Sequence, residues 1–141
     1  MAWSSPSTWV AGAVLTAAQL NAQVRDNLLA LYSGTGWVDA TYASGYQTQG
    51  TRQAKSTVKG KTVSLDGLIT KTSGSFPTSA ATVIATLPVG HRPPDTKRFA
   101  CGQSALQLAN IAVASNGEVS IITSSSAPTY VSLDGITFEL D

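Results

Sequence analysis

The residue types that carry most enzyme chemistry are scarce in this chain, which has one histidine, His91, and one cysteine, Cys101. A nucleophile–imidazole–carboxylate relay would have to run through His91, in the stiff stretch Pro88-Val89-Gly90-His91-Arg92-Pro93-Pro94. Such a relay is recognised by geometry, and serines and aspartates are too plentiful here for their presence to select a partner. The expectation is a histidine on a surface loop. Cys101 lies between Ala100 and Gly102 in a predicted strand. A buried, inert thiol is expected, because a reactive one needs a cationic, partly open setting. HExxH, CxxC, G-x-S-x-G and Gly-rich phosphate loops are all missing. A single cysteine excludes a disulfide framework and a Cys-based metal site, and a single histidine excludes a multi-histidine one. No enzymatic activity, cofactor or metal is expected.

Three further groups could bind rather than react. Val63-Ser64-Leu65-Asp66-Gly67 recurs as Val131-Ser132-Leu133-Asp134-Gly135. This is either one packing problem solved twice or a Ca²⁺ site built from Asp66 and Asp134, which would lack the clustered carboxylates such sites use. Arg52, Lys55, Lys59 and Lys61 form a basic stretch, read either as a solvated strand edge that discourages strand addition or as a contact for an anionic surface glycan. Tyr42, Tyr46 and Tyr130 are the candidate receptor contacts, because tyrosine offers a sugar an apolar face and a polar tip. They could equally be core or interface residues.

The elements that would position these groups divide the 141 residues in two. Residues 1–51 hold three charges, Arg25, Asp26 and Asp39, yet all three tryptophans, Trp3, Trp9 and Trp37. So uncharged and Trp-rich a segment is expected to be covered by something. Within it Thr16 and Gln19 have the spacing of a capping box, with Leu15 and Leu20 as a hydrophobic staple. The helix that starts there is expected to run to about Tyr32 and to stop at Ser33-Gly34. Its apolar face is Ala17, Leu20, Val24, Leu28 and Leu31. Asn27 falls either at a heptad d position or in solvent, with Leu28 then carrying the seam. A helix this short is marginal alone, so it must pack on the chain's own β domain or on the same helix of another copy. The uncharged Gln19, Asn21, Gln23 and Asn27 favour a contact between copies. Residues 1–35 are therefore read as an anchor and assembly segment, with Trp3, Trp9, Leu20, Val24, Asn27, Leu28 and Leu31 as its working residues.

Residues 36–141 read as β throughout. Strands are expected at Arg52–Val58, Thr62–Lys71 with a bulge at Asp66-Gly67, Thr82–Leu87, Lys97–Gln103, Leu106–Ser115, Glu118–Thr123 and Thr129–Leu140. Pro88–Asp95 and Ser124–Pro128 are expected loops, and Asn116-Gly117 signals a type I′ hairpin. Strands this close together, without helices between them, imply a mainly β fold: a short N-terminal helix followed by an antiparallel β-sandwich or jelly-roll-like head. Net charge is +1, from nine Lys and Arg against eight Asp and Glu, which leaves no basic field for nucleic acid. No apolar run is long enough for membrane insertion, and the first residues do not read as a signal peptide.

Two sets of segments resemble tailed-bacteriophage virion proteins. Trp9-Val10-Ala11-Gly12, Leu15-Thr16-Ala17-Ala18-Gln19-Leu20-Asn21 and Val24-Arg25-Asp26-Asn27-Leu28 resemble an N-terminal attachment helix. Leu87-Pro88-Val89-Gly90-His91-Arg92-Pro93-Pro94, Asn116-Gly117-Glu118-Val119 and Val131-Ser132-Leu133-Asp134-Gly135-Ile136-Thr137-Phe138 resemble the C-terminal β head of tail-fibre and receptor-binding proteins. His91 stands where such loops usually carry an aromatic. The resemblance implies a virion location after synthesis in the host cytoplasm. It implies a homotrimer, docking to other virion proteins through the N-terminal segment, and a projecting head that could touch a host cell-surface glycan. A capsid-decoration or head-fibre protein and a dedicated carbohydrate- or receptor-binding module are the alternatives.

Overall fold

Thr16 and Gln19 form the reciprocal pair that their spacing implies. The Gln19 backbone N–H donates to Thr16 Oγ1 at 3.2 Å, and the Thr16 N–H donates to Gln19 Oε1 at 3.0 Å. They open a helical run made of α1 (Ala17–Leu20), a π-helical segment (Asn21–Asp26) and α2 (Asn27–Ser33). Gly34 ends it, with φ of 63°. The π segment is unforeseen. A π turn takes one more residue than an α turn, so the residues beyond it are out of step with a regular heptad begun at Ala17.

The computed structural model describes residues 5, 7–78, 80–104, 107–122 and 128–140. After the helix come β1 (Val38–Asp39), β2 (Thr41–Tyr42), β3 (Tyr46–Thr48), β4 (Lys55–Lys59), β5 (Thr62–Asp66), β6 (Leu68–Lys71), β7 (Thr82–Thr86), β8 (Lys97–Gln103), β9 (Gln107–Val113), β10 (Glu118–Ile122), β11 (Tyr130–Ser132) and β12 (Thr137–Glu139). They form two antiparallel sheets, a small one in the order β1-β4-β5-β12 and a large one in the order β2-β7-β10-β9-β8-β11-β6-β3. The fold is mainly β, as expected, and the large sheet nearly closes into a barrel. Its two edge strands, β2 and β3, are joined by Ala43, Ser44 and Gly45 alone, and the Tyr46 N–H reaches the Ala43 carbonyl at 3.1 Å. Alternation sends Val63 and Leu65 inward from β5, and Val119 and Ile121 inward from β10. They meet Ile69, Phe76, Ile84, Leu87, Ile111, Val131 and Leu133 in one core shared by both sheets.

Two expected strands are each two strands in different sheets. Thr62–Lys71 divides at Gly67 into β5, which pairs with β4 and β12, and β6, which pairs with β3 and β11. Thr129–Leu140 divides into β11, beside β6, and β12, beside β5. The phase slip at Asp66-Gly67 is therefore a corner where the chain changes sheets, not a bulge. The repeated pentapeptide marks both corners, and they lie against each other: the Leu133 N–H donates to the Gly67 carbonyl at 2.9 Å, and the Leu65 N–H to the Ile136 carbonyl at 2.9 Å.

The β9–β10 hairpin stands where Asn116-Gly117 placed it, but its turn is of another type. The Ala114 N–H donates to the Glu118 carbonyl at 2.9 Å and the Gly117 N–H to the Ala114 carbonyl at 2.8 Å. The loop is thus the three residues Ser115, Asn116 and Gly117, not a two-residue type I′ turn. The expected loop at 124–128 falls largely outside the described residues. Among the described residues, no helix is long and apolar enough to cross a membrane.

Candidate functional site

The helix turns Gln23 and Asn27 toward the rest of the chain and its leucines outward. Asn27 is 6% exposed, its side-chain amide donating to the Gln23 carbonyl at 3.3 Å. The Gln23 side chain ties down the segment before the helix: its Oε1 accepts from the Ser7 N–H at 3.0 Å and its amide donates to the Ser5 carbonyl at 3.3 Å. On the opposite face Leu20, Val24, Leu28 and Leu31 are 49%, 48%, 60% and 47% exposed. Both readings of Asn27 are corrected in part: it lies neither in an apolar seam nor in solvent, and Leu28 does stand in the exposed stripe. Trp9 is also half exposed, as is Trp37, with Lys55 Nζ 5.1 Å above its ring centroid. Trp3 lies outside the described residues. Of the fourteen large apolar residues exposed among the described residues, twelve fall between Trp9 and Val38. Ten of them precede residue 36, which makes the N-terminal segment the main apolar surface among the described residues.

The tyrosines do not form a group. Tyr46 is buried, its ring centroid 5.5 Å from that of Phe76, and burial pushes its hydroxyl pKa up. It is a core residue and cannot offer its face to a sugar. Tyr42 is half-buried against the core, and its hydroxyl accepts from the Ala54 N–H at 2.8 Å. Tyr130 is half-buried on β11, paired with Thr70.

The basic stretch is partly neutralised at the sheet corners. Arg52 Nη2 reaches Asp66 Oδ1 at 3.0 Å and Asp134 Oδ2 at 2.7 Å, while Lys55 Nζ lies 3.2 Å from Asp66 Oδ2. Asp134 also accepts from the Gly67 N–H at 2.9 Å. The two repeat aspartates thus do converge, but the cation between them is the chain's own guanidinium. Hydrogen bonding with Asp134, then with Lys55 and Arg52, holds the Asp66 carboxyl below its ordinary range, against a smaller opposing effect of burial than these together exert. Among the described residues, no three His, Cys, Asp or Glu side chains gather to hold a metal.

His91 is not a surface residue. It is 6% exposed, and its Nδ1 lies 2.8 Å from Oγ of the fully buried Ser56 on β4. The loop that carries it is held to the β9–β10 turn. The Leu87 N–H donates to the Gly117 carbonyl at 2.9 Å, Arg92 Nε donates to the Leu87 carbonyl at 3.1 Å, and a methyl on Gly117 would stand 2.5 Å from Arg92 Nε. Two of the three segments that resemble a phage β head, 87–94 and 116–119, are therefore packing partners. Cys101 is buried as expected, and burial pushes its thiol up to about 11, far from a nucleophilic thiolate at neutral pH.

Burial pushes the His91 pKa below its ordinary 6.5, so the folded state prefers the neutral ring. Below pH 6.5 the unfolded chain takes up the proton first. Stability contributed by the neutral ring is complete above that value and is lost as pH falls through the lower folded pKa. His91→Gln, which cannot be protonated, is expected to flatten the fall of Tm between about pH 7 and 5. An unchanged slope in a thermal-melt series would assign the acid sensitivity elsewhere.

No family model matches the chain, and no curated protein sequence does. Among solved structures, it is similar to the receptor binding protein (gp15) of Listeria phage PSA. The TM-score is 0.61 at 21% sequence identity, over 92% of this chain and 82% of that one. At that identity the likeness is one of fold.

Proposed function

We infer that the chain is a structural protein of a tailed-phage particle, of receptor-binding type, in which the N-terminal segment joins copies and docks them while the β head projects. The observation that carries this is the outward stripe Leu20, Val24, Leu28 and Leu31 on a helix whose polar Gln23 and Asn27 face inward. A monomer gains nothing from that arrangement. Covering the exposed half of four such side chains would contribute about 3–6 kcal/mol per copy, enough to favour association of a helix otherwise marginal. The fold likeness to a phage receptor binding protein supports the same reading. Three copies around one axis, the number that the resemblance implies, would bring three stripes into one seam. Trp9 and the exposed Val10 and Val14 then serve the neighbour on the particle. In this reading the enclosed Ser56–His91 pair is structural and the chain catalyses nothing.

Sedimentation of the full chain at micromolar concentration, with mass spectrometry of separated phage heads and tails, tests the reading. An oligomer found with the tails supports it. A strict monomer, or a chain missing from particles, would overturn it. A chain found with the heads would convert it to capsid decoration.

A further inference from the structure

The outer face of β8, β9 and β10 carries a hollow whose described lining includes no residue of the helix. Ala100, Asn110 and Ile122 stand in one row across the three strands, paired Ala100 to Asn110 and Asn110 to Ile122. Arg98 lies two residues before Ala100 on β8, and Leu108 two before Asn110 on β9, so all five share one face. Leu108 is opposite Gly102, and nothing stands within 4 Å of where a Gly102 side chain would be. Small residues flanked by larger ones leave a cavity of about 500 Å³ whose lining includes Arg98, Ala100, Leu108, Asn110 and Ile122. That is within the range of small-molecule sites.

Three properties of this lining specify an occupant. Leu108 is 67% exposed, and with Val89 it is one of two large apolar residues so exposed beyond Val38 among the described residues. Arg98 makes no ion pair among the described residues, whereas Arg25, Arg52 and Lys55 all do. Asn110, exposed on the same face, offers an amide able both to donate and to accept. An apolar wall, an amide and an uncommitted guanidinium side by side match a sugar ring with an anionic substituent. The C–H face of the ring would lie on Leu108 and Ile122, its hydroxyls on Asn110, and its carboxylate or phosphate on the planar fork of Arg98.

We propose that this hollow binds an anionic saccharide unit, and that Arg98 selects its charge. The proposal deepens the receptor-binding reading, and it moves the glycan contact from the Arg52–Lys61 stretch and the tyrosines to the outer face of β8–β10. Its test is separate from the assembly test. The full-length, ¹⁵N-labelled protein is titrated with glucuronate, glucose 1-phosphate, neutral glucose and inorganic phosphate, and backbone amide shifts are followed. The expected result is saturable shifts confined to residues near 98–102, 108–112 and 120–122 with one or both anionic sugars. Their response distinguishes carboxylate from phosphate. Glucose, which loses the charge-assisted pair with Arg98, and phosphate, which loses the ring contacts with Leu108, Ile122 and Asn110, are each expected to bind at least about tenfold more weakly. Arg98→Ala should weaken the anionic sugar by about tenfold or more, Arg98→Lys by less, and Ala100→Trp should fill the hollow and abolish the shifts.

No shifts on this face with any anionic sugar would overturn the proposal. So would equal binding of glucose, equal binding of inorganic phosphate, or an Arg98→Ala protein that binds as well as its parent. If Leu108→Asp instead lowered the oligomer mass, this face would be a contact between copies, and the proposal would also fall. A monomeric or particle-free chain that still binds glucuronate at Arg98 would sink the virion reading and leave this one standing.

Discussion

A Leu20→Asp, Leu28→Asp double variant is expected to fold normally and to stay monomeric. Both leucines are about half exposed in the single chain, at 49% and 60%. Surface substitutions of this kind shift folding stability by about 0.5 kcal/mol or less, so the melting curve of the β head should hardly move. Association is another matter. A carboxylate enclosed by apolar side chains costs several kcal/mol unless it is paired, and each copy would bring two. The dissociation constant should rise by at least about a thousandfold, which corresponds to about 4 kcal/mol. Sedimentation or light scattering across a dilution series reads this directly, and phage carrying the variant should assemble without the protein. A double variant that still self-associates at the parent's concentration would place the interface elsewhere. One that unfolds would make the stripe part of the head's own core.

The second large effect concerns the sheet corner. Gly67 has φ of 112°, and a methyl group there would stand 2.2 Å from the Gln53 carbonyl oxygen and 2.7 Å from Ala54 Cα. Those are backbone atoms and cannot rotate away. The segment they belong to is itself held in place: the Leu68 N–H donates to the Arg52 carbonyl at 3.0 Å, and the Ala40 N–H to the Ala54 carbonyl at 2.9 Å. Gly67→Ala should therefore cost about 3–5 kcal/mol, a large share of the ~5–15 kcal/mol that holds a domain together. Tm should fall by about 10 °C or more. Gly135, the matching residue of the repeat, supplies the control. Its φ is 82°, but nothing stands within 4 Å of a methyl there. Gly135→Ala should cost only the conformational penalty of about 1–2 kcal/mol. Equal losses in the two variants would mean that the 53–54 segment does not thread the corner.

The helix start was legible because capping is local. Thr16 and Gln19 satisfy each other whatever else the chain does. The strands from β4 onward were legible for a similar reason, since alternation reports burial residue by residue, whereas β1, β2 and β3 are too short to show it. Alternation cannot report which sheet a strand joins, so Thr62–Lys71 and Thr129–Leu140 each read as one strand while the chain changes sheets within them. The repeated pentapeptide was the available sign, because two identical turns meeting in antiparallel fashion are a way for two strands to cross between sheets together. The π segment left no mark in the side-chain pattern. His91 was misplaced because its type and its Pro-rich neighbours both suggest solvent. Its hydrogen-bond partner, Ser56 on β4, is thirty-five residues away, and nothing local announces it. The hollow on β8–β10 was invisible for the opposite reason: it is made by what Ala100 and Gly102 lack.

The joining of β2 to β3 by three residues bears on crowding. Those two border strands are themselves only two and three residues long. Elsewhere the exposed borders are β1 and β12, two and three residues long. Templating of foreign strands needs a longer unpaired row than that. Crowded copies of such a chain would find little unpaired edge on which to zip into fibres.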